Sequence, residues 1–158
     1  MENINFSGCL KPKKDLRNYR IKATASQIDN LPEEFELPKY QKVKNQGSIG
    51  SCVPHAMSSV LEYHNQGKNE LSVIFLYGIK KKLCGDEGRG MYMSDVCKIV
   101  SEYGDMLEDD CEGNYEPPTA WYAAEAAFND EEKRKRALTF RLKSYFSCQT
   151  ENDVKVAL

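Results

Sequence analysis

Residues 43–57, VKNQGSIGSCVPHAM, leave little choice of local structure. Two glycines, Gly47 and Gly50, free the backbone of a short loop. That loop runs straight into Val53, Ala56, Met57, Val60 and Leu61, which recur at helical spacing. Ser51 stands where an N-cap belongs, so Cys52 falls in the first turn of a helix. At a helix N-terminus the macrodipole favours an anion, and thiolate is the nucleophilic form of cysteine. The backbone N–H groups of that turn have no intrahelical partners and can hold an oxyanion. Gln46, six residues before Cys52, brings an amide N–H2 to the same place. Cys52 as nucleophile, with Gln46 and the Cys52 N–H as an oxyanion hole, is acyl-transfer chemistry on a thiol. It calls for no cofactor and no metal.

The remaining composition narrows the partners. Lys and Arg number 22 against 24 Asp and Glu, and no long basic run occurs. Nucleic acid and membrane surfaces are therefore not indicated. No apolar stretch approaches the span of a bilayer, and the N-terminus lacks the apolar core of a signal peptide. The expected location is cytoplasmic. Cys9, Cys52, Cys84, Cys97, Cys111 and Cys148 are widely spaced with no CxxC pair. They read as free thiols in a reducing compartment, all but Cys52 serving as packing residues.

Along the chain, residues 1–30 read as an irregular leader and LPEEFELPKY (31–40) as an extended segment. The helix from Cys52 ends at NQGKN. A second helix starts near Ser72, continues through VIFLYGI and finishes in Lys80, Lys81 and Lys82, a solvated cationic end. CGDEGRG (84–90) is a glycine loop. A third helix, capped by Ser94 and stopped by Gly104, carries Val96, Ile99, Val100 and Tyr103. TAWYAAEAAFN favours a fourth helix with a core stripe, and DEEKRKR is a solvated charged stretch. LTFRLKSYF (138–146) alternates Leu138, Phe140 and Leu142 like a half-buried strand. Thr150 with Asp153 suits the cap of a last helix. Helices first and a strand late indicate an α+β class. Residues 31–137 then form a helical domain carrying the nucleophile, and 138–158 begin a truncated β-domain.

NQGSIGSC (45–52) followed by a helix resembles the active-site segment of papain-like cysteine peptidases, whose local signature is C-G-[SA]-C-[WY]. LPEEFEL is similar to that family's mature N-terminal strand, and ELSVIFLY to the segment that begins its second helix. DEGRGMYMSDVCKIVSEYG resembles the glycine strip and the helix after it, and YEPP the Tyr-Pro loop. The resemblance covers about residues 31–158. It implies the papain-like fold, mainly its helical half with the first strand of the β-barrel half. It also implies a cysteine-type peptidase in which Cys52 attacks the scissile carbonyl and Gln46 helps hold the oxyanion. Gly88, Gly90, Met91 and Tyr92 would bind the substrate backbone in extended form. Tyr92 and Met93 suit a specificity pocket and core packing equally.

Three departures accompany the resemblance. Ile49 stands where the signature has its first cysteine, so the disulfide usual near the site in secreted members cannot form. Cys84 is expected near the orphaned partner position. Val53 replaces the aromatic residue after the nucleophile. More serious is the base. In that family a His and its orienting Asn follow the nucleophile by about 130–150 residues, and this sequence ends at Leu158. Its two histidines, His55 and His64, both follow Cys52 on one helix. His55 reads as a core helix residue and His64 as a cation at the helix end.

The implied partners are therefore a peptide or protein substrate and a missing C-terminal half or second chain. A homodimer is a further way to hide an apolar face. The chain alone is expected to be inactive or weakly active. Two other readings stay open. One is a non-catalytic peptide-binding or interaction module, and the other a thiol acyl-transfer enzyme such as a ligase.

Overall fold

The structure, a computed structural model, describes residues 9–10, 19–36, 42–47, 49–114 and 118–158. Most of the leader, residues 37–41 of the extended segment, Ser48 and residues 115–117 of the YEPP loop lie outside the described residues. In chain order the elements are β1 (Cys9–Leu10), α1 (Ala25–Asp29), α2 (Cys52–His64), α3 (Val73–Cys84), β2 (Met91–Tyr92), α4 (Met93–Tyr103), α5 (Thr119–Asn129), α6 (Glu131–Ala137) and α7 (Glu151–Ala157). Short 3-10 turns occupy Glu108–Asp110 and Leu138–Phe140. No helix among the described residues is long and apolar enough to cross a membrane. The chain divides into two compact units, one of residues 1–12 with 40–143 and the other of 13–39 with 144–158.

The first unit is built around α3. Every residue from Val73 to Lys80 is buried, as expected of a helix that is apolar all round. Ser72 caps it by accepting from the Phe75 amide at 3.3 Å, and Gly85 closes it in the left-handed conformation. α2 presents Val53, Met57 and Leu61 to the same core, and α4 presents Val96, Ile99 and Val100. Pro54 is tolerated in the first turn of α2, where its missing N–H forfeits no intrahelical bond.

α3 packs most extensively on α5. The approach is close because both faces are small. Gly78 meets Ala120 and Ala124, and a methyl group at Gly78 would sit 2.1 Å from the Ala120 carbonyl oxygen. The stripe expected on α5 is thus core at Ala120, Ala124 and Ala127, whereas Tyr122 faces solvent.

Five local expectations need revision. Ser94 does not cap α4, which begins at Met93 with Tyr92 in the cap position. The leader read as irregular carries α1, capped by Thr24. Residues 131–137 form a helix rather than a merely charged stretch. Asp130 caps it through the Glu132 and Lys133 amides, and its acidic start and basic end suit the dipole. Residues 138–146 do not form a strand. The chain leaves α6 directly into the 3-10 turn, and backbone pairing begins only at Ser147, which bridges Arg20 in parallel. The expected buried face is met in part, since Phe140 and Leu142 pack on the core while Leu138 is exposed, and burial on one side does not supply a strand partner. Lys80 is not a solvated helix end; it is fully buried, and only Lys81 and Lys82 are exposed.

The second unit has a different basis. Among its described residues only Asp153 is buried. Its carboxylate accepts from the amides of Ala23 at 2.8 Å, Thr150 at 2.9 Å and Gln149 at 3.1 Å. With Thr150 it completes the expected capping box of α7. These bonds, that from Ala23 foremost, hold its carboxyl down at about 2.

Two outcomes follow. Gly78→Ala should destabilise the first unit by about 3 kcal/mol or more, and an unchanged denaturation midpoint would show that α3 and α5 are not this close. A depressed carboxyl stabilises the fold above its unfolded value of about 3.9, and that contribution is lost as pH falls toward about 2. An NMR titration of Asp153 should therefore find its midpoint near 2, with protection of the Ala23 amide lost over the same range. A midpoint at the ordinary carboxylate value would contradict the three amide bonds.

Candidate active site

Gly47 has φ of +60°, a conformation that favours glycine, and its amide donates to Asn45 Oδ1 at 2.9 Å. The loop then folds on itself. Gln46 Nε2 donates to the Ile49 carbonyl at 2.7 Å, and the Ser51 amide donates to the same carbonyl at 2.8 Å. Gln46 is thereby held half-buried in the loop that leads to α2. Its amide carries two N–H bonds, and the Ile49 contact occupies one.

Cys52 is the first residue of α2, half-buried and unbridged. Ser51 occupies the N-cap position, yet its side chain makes no capping bond, and among the described residues its buried hydroxyl has no partner. The first-turn amides of α2 therefore stay clear of a side-chain cap, beside the Cys52 sulfur. Elsewhere burial pushes the Cys97 and Cys111 thiols up to about 11, and Cys84 upward as well. Ile49 and Cys84 both pack on the hydrophobic core.

The loop is anchored by a buried ion pair. Lys44 Nζ donates to Glu62 Oε1 at 2.7 Å and to the Leu71 carbonyl at 2.5 Å. Glu62 Oε1 also accepts the Leu71 amide at 2.8 Å. Next to this cluster Asp105 accepts from Ser58 Oγ and the Met106 amide, both at 2.8 Å. Burial pushes its carboxyl well above the carboxylate range.

Both histidines lie on α2. The His55 Nδ1 is 2.8 Å from the Ser51 carbonyl of its own helix, and burial pushes the imidazole down. His64 ends the helix, exposed, with its ring edge-on to Tyr63.

The glycine strip lies on the neighbouring segment, and α2 packs against β2. The carbonyls of Gly88 and Gly90 turn inward onto Lys80 Nζ. The Met91 side chain is fully buried and Tyr92 is half-buried. Met91 and Tyr92 pair in parallel with Cys9 and Leu10, so that strand edge is occupied by the chain's own leader. Met93 is exposed.

Reasoning from sequence missed Lys44, Glu62 and Lys80. One signal was available for Glu62. Ser58 and Glu62 are four apart and flank the Met57–Leu61 stripe, which places a carboxylate at the edge of the core.

No family model and no curated protein sequence matches this chain. Its structure is similar to that of xylellain, a cysteine protease from Xylella fastidiosa, with a TM-score of 0.77 at 20% sequence identity. The fold is papain-like. The match covers 96% of this chain but only 62% of xylellain. It places the α+β architecture on firm ground, with the helical half of the papain-like fold dominating what is described.

Removing one partner of a buried ion pair strands the other. Lys44→Met should cost about 3–5 kcal/mol in urea denaturation, and adding Glu62→Leu should recover much of that loss. A double variant no more stable than the single would show that the pair is not isolated from water.

Proposed function

We propose that this chain is the nucleophile-bearing part of a cysteine-type peptidase. The observation that carries the reading is Cys52 at the side-chain-uncapped N-terminus of α2, with Gln46 held in the same loop. Similarity of fold to a cysteine protease supports it. The Cys52 sulfur attacks the scissile carbonyl to give a tetrahedral oxyanion, which collapses to a thioester as the amine departs. The Cys52 N–H and the second N–H of Gln46 stabilise the oxyanion. Backbone groups of the Gly88–Tyr92 region hold the substrate in extended form, displacing or sharing the edge now paired with Cys9–Leu10.

The amine needs a proton and the thiol a base. His55 sits one turn into α2 with Nδ1 2.8 Å from the carbonyl of the N-cap Ser51, and His64 lies at the far end of α2. On this reading the base and its orienting residue are supplied by a C-terminal half or a second chain. Alone, the chain retains only the residual chemistry of a nucleophile and an oxyanion hole.

Trapping with a peptidyl aldehyde tests this, because the hemithioacetal reproduces the oxyanion. Cys52 should form the adduct, Cys52→Ala should abolish it, and Gln46→Ala should weaken it about 10–100-fold. Iodoacetamide alkylation of Cys52 should be unchanged by Gln46→Ala. If Cys52 forms no adduct and alkylates no faster than the exposed Cys9, the chain is a peptide-binding module instead.

A further inference from the structure

Lys80 lies in the middle of α3, fully buried, where an ammonium is strongly unfavourable unless each N–H finds an acceptor. It has three N–H bonds. They meet the Gly88 carbonyl at 2.5 Å, the Gly90 carbonyl and Asp86 Oδ2 at 3.5 Å. All three acceptors belong to one five-residue stretch, Asp86–Gly90, and none to the helix that carries the lysine. Asp86 serves twice, since its other oxygen accepts the Gly88 amide at 2.8 Å. The Tyr77 ring backs the ammonium at 5.0 Å. Between the two inward carbonyls, Arg89 is exposed.

The geometry points to Lys80 as a positioning residue: its buried ammonium templates the glycine strip, turning Gly88 and Gly90 inward so that the strip meets an extended peptide through the exposed Arg89 segment. This deepens the proposed function and rests on it. A lysine that merely stapled the core would have no reason to take every acceptor from the strip. Nor would its loss act selectively on peptide recognition.

The full chain should be treated with a peptidyl chloromethyl ketone and, separately, with iodoacetamide, following Cys52 by mass spectrometry. Wild type should saturate with the peptidyl reagent. Lys80→Met should raise KI at least tenfold while kinact and the iodoacetamide rate stay within twofold. Asp86→Asn, which weakens the same clamp, should raise KI by a smaller factor. Loss of stability alone would not divide KI from kinact in this way. An unchanged KI in folded Lys80→Met overturns the proposal. If circular dichroism shows that variant unfolded, an unchanged KI in Asp86→Asn overturns it instead. If wild type itself fails to saturate, the strip does not recognise peptide, and the functional reading falls together with the role given to Lys80.

Discussion

The ion pair between Lys44 and Glu62 is almost wholly removed from water, with side-chain exposures of 11% and 3%. Two charges in that situation are tolerable only if each meets the other and the remaining polar atoms nearby are also paired. Here they are, because the Leu71 carbonyl and amide complete the cluster. Three pieces of chain far apart in sequence are thereby joined: the loop before Cys52, the last turns of α2, and the entry to α3. This pair, with Ile49 packed on the core, ties the loop holding Gln46 to α2 and the entry to α3. The position of Gln46 relative to Cys52 thus depends in part on an ion pair behind the loop.

A second buried cation repeats the principle on the other segment. Lys80 organises Asp86–Gly90 as Lys44 organises the approach to Cys52. The two differ in which side the glycines lie on: Lys80 donates to carbonyls of the glycine segment itself, whereas Lys44 is carried by the glycine loop and donates to the Leu71 carbonyl at the entry to α3. Glycine allows a close approach of backbone and gives up a side chain that could anchor the segment at that position. The lysines supply what the glycines remove. A point charge with three rotatable donors suits this work better than the planar fork of arginine would.

The helical half was largely legible in the sequence. Periodicity located α2, α3, α4 and α5, and the local pattern of loop, glycine and cysteine located Cys52 at the start of α2. What escaped was set by long-range pairing. Lys80 belongs to a Lys-Lys-Lys run, and nothing local separates the buried member from the exposed two; the distinction is made by carbonyls eight and ten residues away. The strand expected at 138–146 failed for a related reason. Alternation reports which side is buried, and Phe140 and Leu142 are indeed packed. Whether a backbone finds a ladder partner is decided elsewhere in the chain.

The candidate nucleophile and the glycine strip both belong to the unit that owns the hydrophobic core. Their geometry draws on side chains such as Phe75 and Leu76, each contributing about 1.5–3 kcal/mol by burial, together with the buried ion pairs of Lys44 and Lys80. The other unit owns no buried apolar residue among those described. It is ordered by backbone bonds converging on one carboxylate and by capping boxes at α1 and α7. Segments this small do not bury enough surface to be stable by packing, so hydrogen bonding at Asp153 has to do what a core does elsewhere. Phe35, Phe146, Val154 and Leu158 of this unit stay exposed. The physics of the two units is therefore unequal: one holds Cys52 in a packed frame, and the other depends on an acid that must stay ionised.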